Sequence, residues 1–478
     1  MALQHADFTT TPNLPTAAQT TFTMSDAPKR ILFIHPDLGI GGAERLVVDA
    51  AVGLQERGHA VTIYTSHCDP RHCFDEARNG TLTIRIAGNT LIPPNILGRF
   101  SILCAILRQL HLTLTLLLSG ELSTYDYLFI DQLSACIPLI RIFSPKLAIL
   151  FYCHFPDYLL AARKSLVKRL YRVPFDFLEG ATTGKAHAVV VNSNFTKSVF
   201  KTAFPGISTE PRVVYPCVDV KEKPKGRMSQ GKVEVFFTED GDSGRKTLLS
   251  INRFERKKNI ELAILSFSGL SLEERNKTRL VIAGGYDHRV RENREYHQEL
   301  EGLCDKEGLR HTTCHNFISA LDVPENTDVL FLQSIPANWK SYLLSSASLL
   351  LYTPEREHFG IVPLEAAVAK IPVLAHNSGG PLETIKEGVT GWLRPDVPEE
   401  WTKVIRKVCF EMEPDEVAEM GRKARERAVA EFSKEKMAER IEEEFGLIKT
   451  KDESVIGALV AVTGLMAVGI AVGVVFLL

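Results

Sequence analysis

No feature of this sequence limits the fold more than a pattern it repeats: a short apolar strand, a turn of glycines or cations, then a helix. Residues 30–35 form the first such strand, followed by Gly39, Gly41 and Gly42 and an amphipathic helix that runs through Arg57. Residues 248–252 read as another, with Arg253, Arg256, Lys257 and Lys258 in the turn and a helix from Ile260. A third, at 348–352, leads through Pro-Glu-Arg-Glu-His-Phe-Gly into a helix near Pro363. Strands and helices in strict alternation predict parallel sheets covered by helices on both faces. Such sheets bind ligands beyond the carboxyl ends of their strands.

Further strands are predicted at 60–65, 82–86, 127–131, 147–152 and 188–191, and again at 280–283, 329–332 and 372–375. Between the two sets, residues 219–246 are rich in Lys, Gly, Glu and Ser, lack periodicity and read as a linker. A chain of 478 residues fits two domains of about 150 to 200 residues with additions. The expected division is a disordered segment 1–29, an N-terminal Rossmann-like domain 30–218, the linker 219–246, a C-terminal Rossmann-like domain 247–446, and a juxtamembrane segment with anchor at 447–478.

The turns carry the candidate chemistry. Glu357 and Glu365 flank the turn before the helix at Pro363, where Gly360 lets a sugar or phosphate approach free backbone N–H groups. A carboxylate one turn into a helix can accept two bonds from a ribose diol, so this turn suits a sugar nucleotide. Four cations directly after the strand at 248–252 suit two phosphates, since Arg grips oxygens in a fork and Lys adds a mobile charge. Gly41 and Gly42 allow a phosphate near the start of the first helix. His154, at the carboxyl end of a predicted strand, is placed to donate to a hydroxyl or phosphate in the cleft or to be a satisfied structural residue. The segment His67, Cys68, His72, Cys73 has metal-ligand residue types but no second pair at finger spacing, and reads as an ordinary loop.

A net charge of -2 excludes bulk nucleic-acid binding. Residues 455–478 contain no charge and as a helix would span roughly 36 Å, so a C-terminal transmembrane helix is expected. Lys449 and Lys451 before it favour a cytoplasmic body. Residues 1–29 contain no secretory signal. Nine cysteines at irregular spacing fit a reducing compartment, which would leave the Asn-x-Thr acceptors at Asn79, Asn194 and Asn276 unused. Two segments keep two readings each. The apolar run 102–118 is a core helix or a membrane-surface helix, and the basic stretch Arg163, Lys164, Lys168, Arg169, Arg172 is a solvated face or a dock for an anionic membrane or pyrophosphate.

Taken in order, the Gly-Gly-Ala-Glu turn at 41–44, Arg253 with Lys258, and Glu357 with Glu365 resemble the retaining glycosyltransferases of the GT-B fold, in which two doubly wound domains face a cleft. The strings FYCHFPD at 151–157, AGGYD at 283–287 and EREHFGIVPLE at 355–365 resemble the α-1,3/1,6-mannosyltransferase family of dolichol-linked oligosaccharide assembly, and the likeness covers most of 30–445. The resemblance implies that Arg253 and Lys258 hold the diphosphate of GDP-mannose and that Glu365 binds its ribose. It further implies that Glu357 and the amides of Phe359, Gly360 and Ile361 face the mannose, that Gly41 and Gly42 line the phosphate side, and that His154 lies near the reacting centre on the acceptor side. Lys257-Lys258-Asn259 stands where many relatives have Glu-Lys-Gly, so both lysines remain candidates for the phosphate.

The reaction so implied is retaining transfer of mannose to a dolichyl-diphosphate-linked Man-GlcNAc2 acceptor, adding an α-1,3 and an α-1,6 mannose. No metal or other cofactor is expected, since no Asp-x-Asp cluster is placed to hold a divalent ion. Membrane lipid and other mannosyltransferases of that pathway are the further partners implied, and the endoplasmic reticulum membrane, with the catalytic domains on its cytoplasmic face, is the implied location. Two other readings compete: a membrane-bound GT-B glycosyltransferase with a different lipid acceptor, and an inactive scaffold of the same fold.

Overall fold

The computed structural model describes residues 27–96, 99–160, 166–221, 245–315, 323–450 and 463–464. The expected disordered N-terminal segment, the linker and the C-terminal transmembrane run fall almost wholly outside these residues, as do Arg163 and Lys164.

The first sheet has seven strands: β1 (Arg30–His35), β2 (Ala60–Thr65), β3 (Thr83–Ile86), β4 (Tyr127–Asp131), β5 (Ala148–Cys153), β6 (Ala188–Val191) and β7 (Arg212–Val213). The second also has seven: β8 (Lys246–Ile251), β9 (Thr278–Gly284), β10 (His311–Cys314), β11 (Val329–Gln333), β12 (Leu349–Tyr352), β13 (Val373–His376) and β14 (Gly391–Arg394). Their orders, β3-β2-β1-β4-β5-β6-β7 and β10-β11-β9-β8-β12-β13-β14, reverse direction beside β1 and β8, the doubly wound arrangement. Every strand pairing within them is parallel. Helices cover both faces, which is why central strands are apolar on successive residues: all six of β5 and all seven of β9 are buried.

Six helices matter below: α1 (Gly42–Glu56), α2 (Ser101–Leu118), α3 (Leu166–Thr183), α4 (Asn194–Ala203), α5 (Ile361–Val368) and α6 (Lys434–Leu447). Helix α2 resolves the ambiguity of the 102–118 run towards packing. It is long and apolar enough to cross a membrane, yet its polar residues are among those turned inward. The Arg108 Nη2 donates to the Ser66 carbonyl at 2.6 Å and Gln109 to that of Leu133 at 2.6 Å. Only the side bearing Leu114 and Leu118 is left exposed.

The second-domain boundary needs correction. Residues 434–446 were expected in the second domain, but α6 crosses back to lie along α1, and Met437, Ala438, Ile441 and Phe445 complete the first domain's core. The close approach depends on Gly53 of α1, where a Cβ would come within 3.0 Å of the Ala438 Cβ. Arg57 and His59 then pair with Glu442 at 2.6 and 2.8 Å, tying the helix to the first domain through ion pairs as well. Replacing the fully buried Ile441 by alanine should therefore destabilise the first domain by about 2 to 5 kcal/mol, measured as a shift in chemical denaturation.

Candidate active site

On the first domain, three strand ends converge. Asp131, the last residue of β4, is fully buried. Its Oδ1 lies 2.7 Å from Nδ1 of His35 at the end of β1, and its Oδ2 lies 2.9 Å from Nε2 of His154, one residue beyond β5. The other nitrogen of His35 faces the Asp37 carbonyl at 3.0 Å. Both of its partners are acceptors, so the His35 ring carries both protons. Burial opposes charge on either group, but their mutual attraction prevails, raising the pKa of His35 and lowering that of Asp131. Asp131 thereby fixes the His154 ring as a donor at Nε2, while Asn192 Nδ2 holds the His154 carbonyl at 3.0 Å. Neither His35 nor Asp131 was singled out in the sequence, although both end predicted strands, the same criterion that selected His154.

The glycine turn adjoins this relay. Gly41 precedes α1 in extended backbone and no side chain caps the helix. A Cβ at Gly41 would fall 2.2 Å from a Glu44 oxygen, whereas Gly42 faces open space. The charge of Glu44 contributes to the raised pKa of His35, which places the start of α1 and the relay in one electrostatic neighbourhood.

On the second domain, the cationic turn after β8 forms a short helical turn, Arg256–Lys258, closed by Asn259 at φ 48. This geometry separates the two lysines. Lys258 points inward, 13% exposed, and pairs with Glu357; Lys257 is 66% exposed and pairs with Glu255 at 3.1 Å. Arg253 stays largely exposed and meets Glu255 at 3.0 Å, while Arg256 turns away to Glu299. The lysine next to the acidic turn is thus Lys258.

The acidic turn itself runs from β12 to α5 with Arg356 and Gly360 in left-handed conformation, at φ 50 and 84. No side chain caps α5, so its first amides are open. Phe359 buries its ring beside Val218, Leu364 and Phe432, leaving only its backbone for a ligand. The glycines at 379–380 pack under this turn: the Gly380 N–H donates to the Glu357 carbonyl at 2.8 Å, and a Cβ there would sit 2.1 Å from the Phe359 oxygen. Glu365 meets Lys340 at 2.5 Å, a partner no sequence pattern announced.

The two halves touch where the predicted residues lie. Phe155, next to His154, stacks on His358, next to Glu357, with centroids 3.7 Å apart. Ser193 donates to the His358 carbonyl at 2.5 Å, and Glu383 of the second domain accepts the Asn194 and Phe195 amides at the start of α4 at 2.9 and 3.1 Å. His154 and Glu357 therefore occupy facing loops of one cleft, with Lys258 and α5 on the same wall as Glu357. Among the described residues, no cluster of three or more His, Cys, Asp or Glu could hold a metal ion.

Two doubly wound domains closing on a cleft of this composition define a glycosyltransferase of the GT-B fold. Residues 40–222 match glycosyltransferase family 4 and residues 233–427 match the group 1 glycosyl transferases. The sucrose-phosphate synthase of Thermosynechococcus elongatus shares the fold, with TM-score 0.63 and 17% identity over 87% of this chain and 98% of that one. The α-1,3/1,6-mannosyltransferase alg-2 of Neurospora crassa is 51% identical over 93% of this chain and 96% of its own length. The ALG2 protein of Saccharomyces cerevisiae is 49% identical over 80% and 78%. The chain belongs to this α-1,3/1,6-mannosyltransferase family.

Because Lys258 alone of the two lysines reaches the acidic turn, Lys258→Ala should lower kcat/KM for sugar transfer at least about tenfold, as expected for loss of a charge-assisted contact. Lys257→Ala should stay within about twofold in the same assay.

Proposed function

We propose that this protein transfers mannose from GDP-mannose, with retention, to a dolichyl-diphosphate-linked Man-GlcNAc2 acceptor, forming an α-1,3 and an α-1,6 linkage in early N-glycan precursor assembly. The observation that carries this reading is the meeting of Lys258 with Glu357 beside the uncapped start of α5. The names of relatives about half identical over most of the chain support the two linkages.

In this reading Arg253 and Lys258 grip the diphosphate, with the amides at 359–361 on the transferred sugar and Gly41 and Gly42 across the cleft. Breaking a glycosyl phosphate bond builds negative charge on the departing GDP. Fixed cations and open helix amides oppose that charge best where water is excluded. These groups supply the stabilisation that a divalent ion gives in other transferases. Glu365 anchors the ribose, exchanging part of its contact with Lys340 for the diol. Glu357 orients the mannose. His154, its ring held by Asp131, addresses the acceptor from the other domain, and attack occurs on the face the phosphate leaves, the phosphate taking the acceptor proton.

Purified protein supplied with GDP-mannose and lipid-linked Man-GlcNAc2 should yield products heavier by one and two mannoses. It should also be stabilised thermally by GDP more than by UDP. Absence of any mannosylated product under varied lipid conditions would refute the assignment.

We also assign the protein to the cytoplasmic face of the endoplasmic reticulum membrane, with α3 as a contact besides the apolar C-terminal run. Leu166, Leu170, Val173 and Phe177 are 75%, 69%, 58% and 57% exposed, and their 4-3-4 spacing forms one stripe. Lys168 and Arg169 lie in the same helix, and an apolar stripe with nearby cations suits an anionic lipid surface. A chain ending at residue 450 should sediment with anionic vesicles, and Leu170→Asp with Phe177→Asp should at least halve the bound fraction.

A further inference from the structure

The loop that follows β2 carries His67, Cys68, His72 and Cys73, which the structure does not bring together as a metal cluster. Both histidines are exposed. The two thiols, in contrast, meet. A turn closed by the His72 N–H on the Asp69 carbonyl at 2.8 Å, with the Arg71 N–H on the Asp69 Oδ1 at 2.9 Å, doubles the chain back until Cys68 and Cys73 lie side by side and hydrogen-bond to each other. Of the nine cysteines in the chain, Cys68 alone is not buried. Its neighbour Cys73 is 6% exposed.

The two sulfurs are anchored to different parts of the cleft's edge. On the Cys68 side, Ser66 and His67 extend the pairing of β1 with β2 beyond the strand ends: the Ser66 N–H donates to the Pro36 carbonyl at 3.1 Å, and the Leu38 N–H to the His67 carbonyl at 2.8 Å. Pro36 to Leu38 is the segment that joins His35 to the glycine turn. On the Cys73 side, Phe74 and Glu76 are held by α1, with the Arg45 guanidinium 4.8 Å over the Phe74 ring and 2.9 Å from the Glu76 Oε1. Between these anchors, a Cβ at Gly39 would meet the His72 ring at 3.8 Å and its carbonyl at 3.9 Å. A bond between the sulfurs therefore fastens the end of β1 to the start of α1 across Gly39, Gly41 and Gly42.

We propose that Cys68 and Cys73 form a redox modification site, a thiol pair that a small disulfide such as oxidised glutathione converts to a disulfide, and that this bond impairs the glycine turn. The Cys68 thiolate attacks one sulfur of the oxidant and releases a small thiol. The Cys73 thiolate then attacks the Cys68 sulfur of the mixed disulfide and releases the second. The pair gives up two electrons, its two protons pass to the departing thiolates, and the oxidant leaves as two thiols. The accessible Cys68 is the point of entry and the buried Cys73 the resolving partner. Burial, with Cys73, Asp37 and Asp69 nearby, pushes the Cys68 thiol up to about 11. Little thiolate exists at neutral pH, so the pair answers to sustained oxidant rather than to traces. A disulfide holds its sulfurs closer than a hydrogen bond does, which draws His67 and His72 together beside Gly39 and shifts the turn. The consequence for sugar transfer rests on the donor site proposed above; the bond itself does not.

Trypsin cuts after Arg71, between the two cysteines, so only a disulfide keeps the pieces together. The full chain, incubated with oxidised glutathione and digested without reductant, should yield these pieces linked from Cys68 to Cys73. The oxidised protein should show a KM for GDP-mannose about three- to tenfold higher, the size of one lost hydrogen bond, and dithiothreitol should restore it. Cys68→Ser and Cys73→Ser should each keep their untreated KM after the same incubation followed by removal of any glutathione adduct. Free thiols at both positions, or a glutathione adduct that stays on Cys68, overturn the site. A linked pair with an unchanged KM, or an equal loss in Cys68→Ser, overturns its control of the glycine turn. An untreated protein that transfers nothing from GDP-mannose overturns the assigned reaction instead, and the linked peptide still decides the thiol pair.

Discussion

A carboxylate with no access to water must be paired, and the pairing of Asp131 organises the first domain's working edge. An uncompensated charge at that depth costs several kcal/mol, so His35 and His154 are held as firmly as the acid needs them. The three groups come from β1, β4 and the residue after β5, neighbours in the sheet, and their union fixes the loops that leave those strands. The glycine turn before α1, the left-handed Gln132 and the segment from His154 to Asp157 are those loops. One buried charge thus sets the geometry of the first domain's side of the cleft.

The second domain solves a different problem, the display of cations and open amides without collapse. Lys258 would otherwise extend into solvent, as Lys257 does; Glu357 draws it to the mouth of α5. The Glu357 turn is held from beneath by Gly379 and Gly380, where any side chain would strike its backbone. Contacts across the cleft then join the two edges, with Phe155 against His358 and Glu383 at the start of α4 supplying charge where helix amides are unpaired.

Much of this was legible in the sequence, and the reasons are physical. A strand buried on both faces must be a continuous apolar run, which is why β1, β4, β5, β9 and β12 were apparent. The edge strands β10 and β14 are missed because His-Thr-Thr-Cys and Gly-Trp-Leu-Arg need little burial and carry no such run. The site turns were legible because they combine glycine or charge with a strand end. Asp131 and His35 carried the same signal in weaker form, a titratable group closing an apolar strand. Lys340 carried none, since a lysine in a helix is ordinary until tertiary structure sets it beside Glu365. The placement of α6 was equally hidden: an amphipathic helix shows which face is apolar, not which domain that face will cover.

That crossing has a mechanical consequence. The chain leaves the first domain after Val218 and returns to it after Phe432, and these two points adjoin, joined by the Val218 N–H on the Phe432 carbonyl at 2.8 Å. Two bodies joined at adjoining points turn about the line through them, like a door on a single pin. Opening then widens the cleft mainly at the rim opposite that line while the core around Val218, Phe359 and Phe432 stays shut. A tether applied after residue 450 loads the first domain alone, through α6, and leaves the second domain as the leaf that swings.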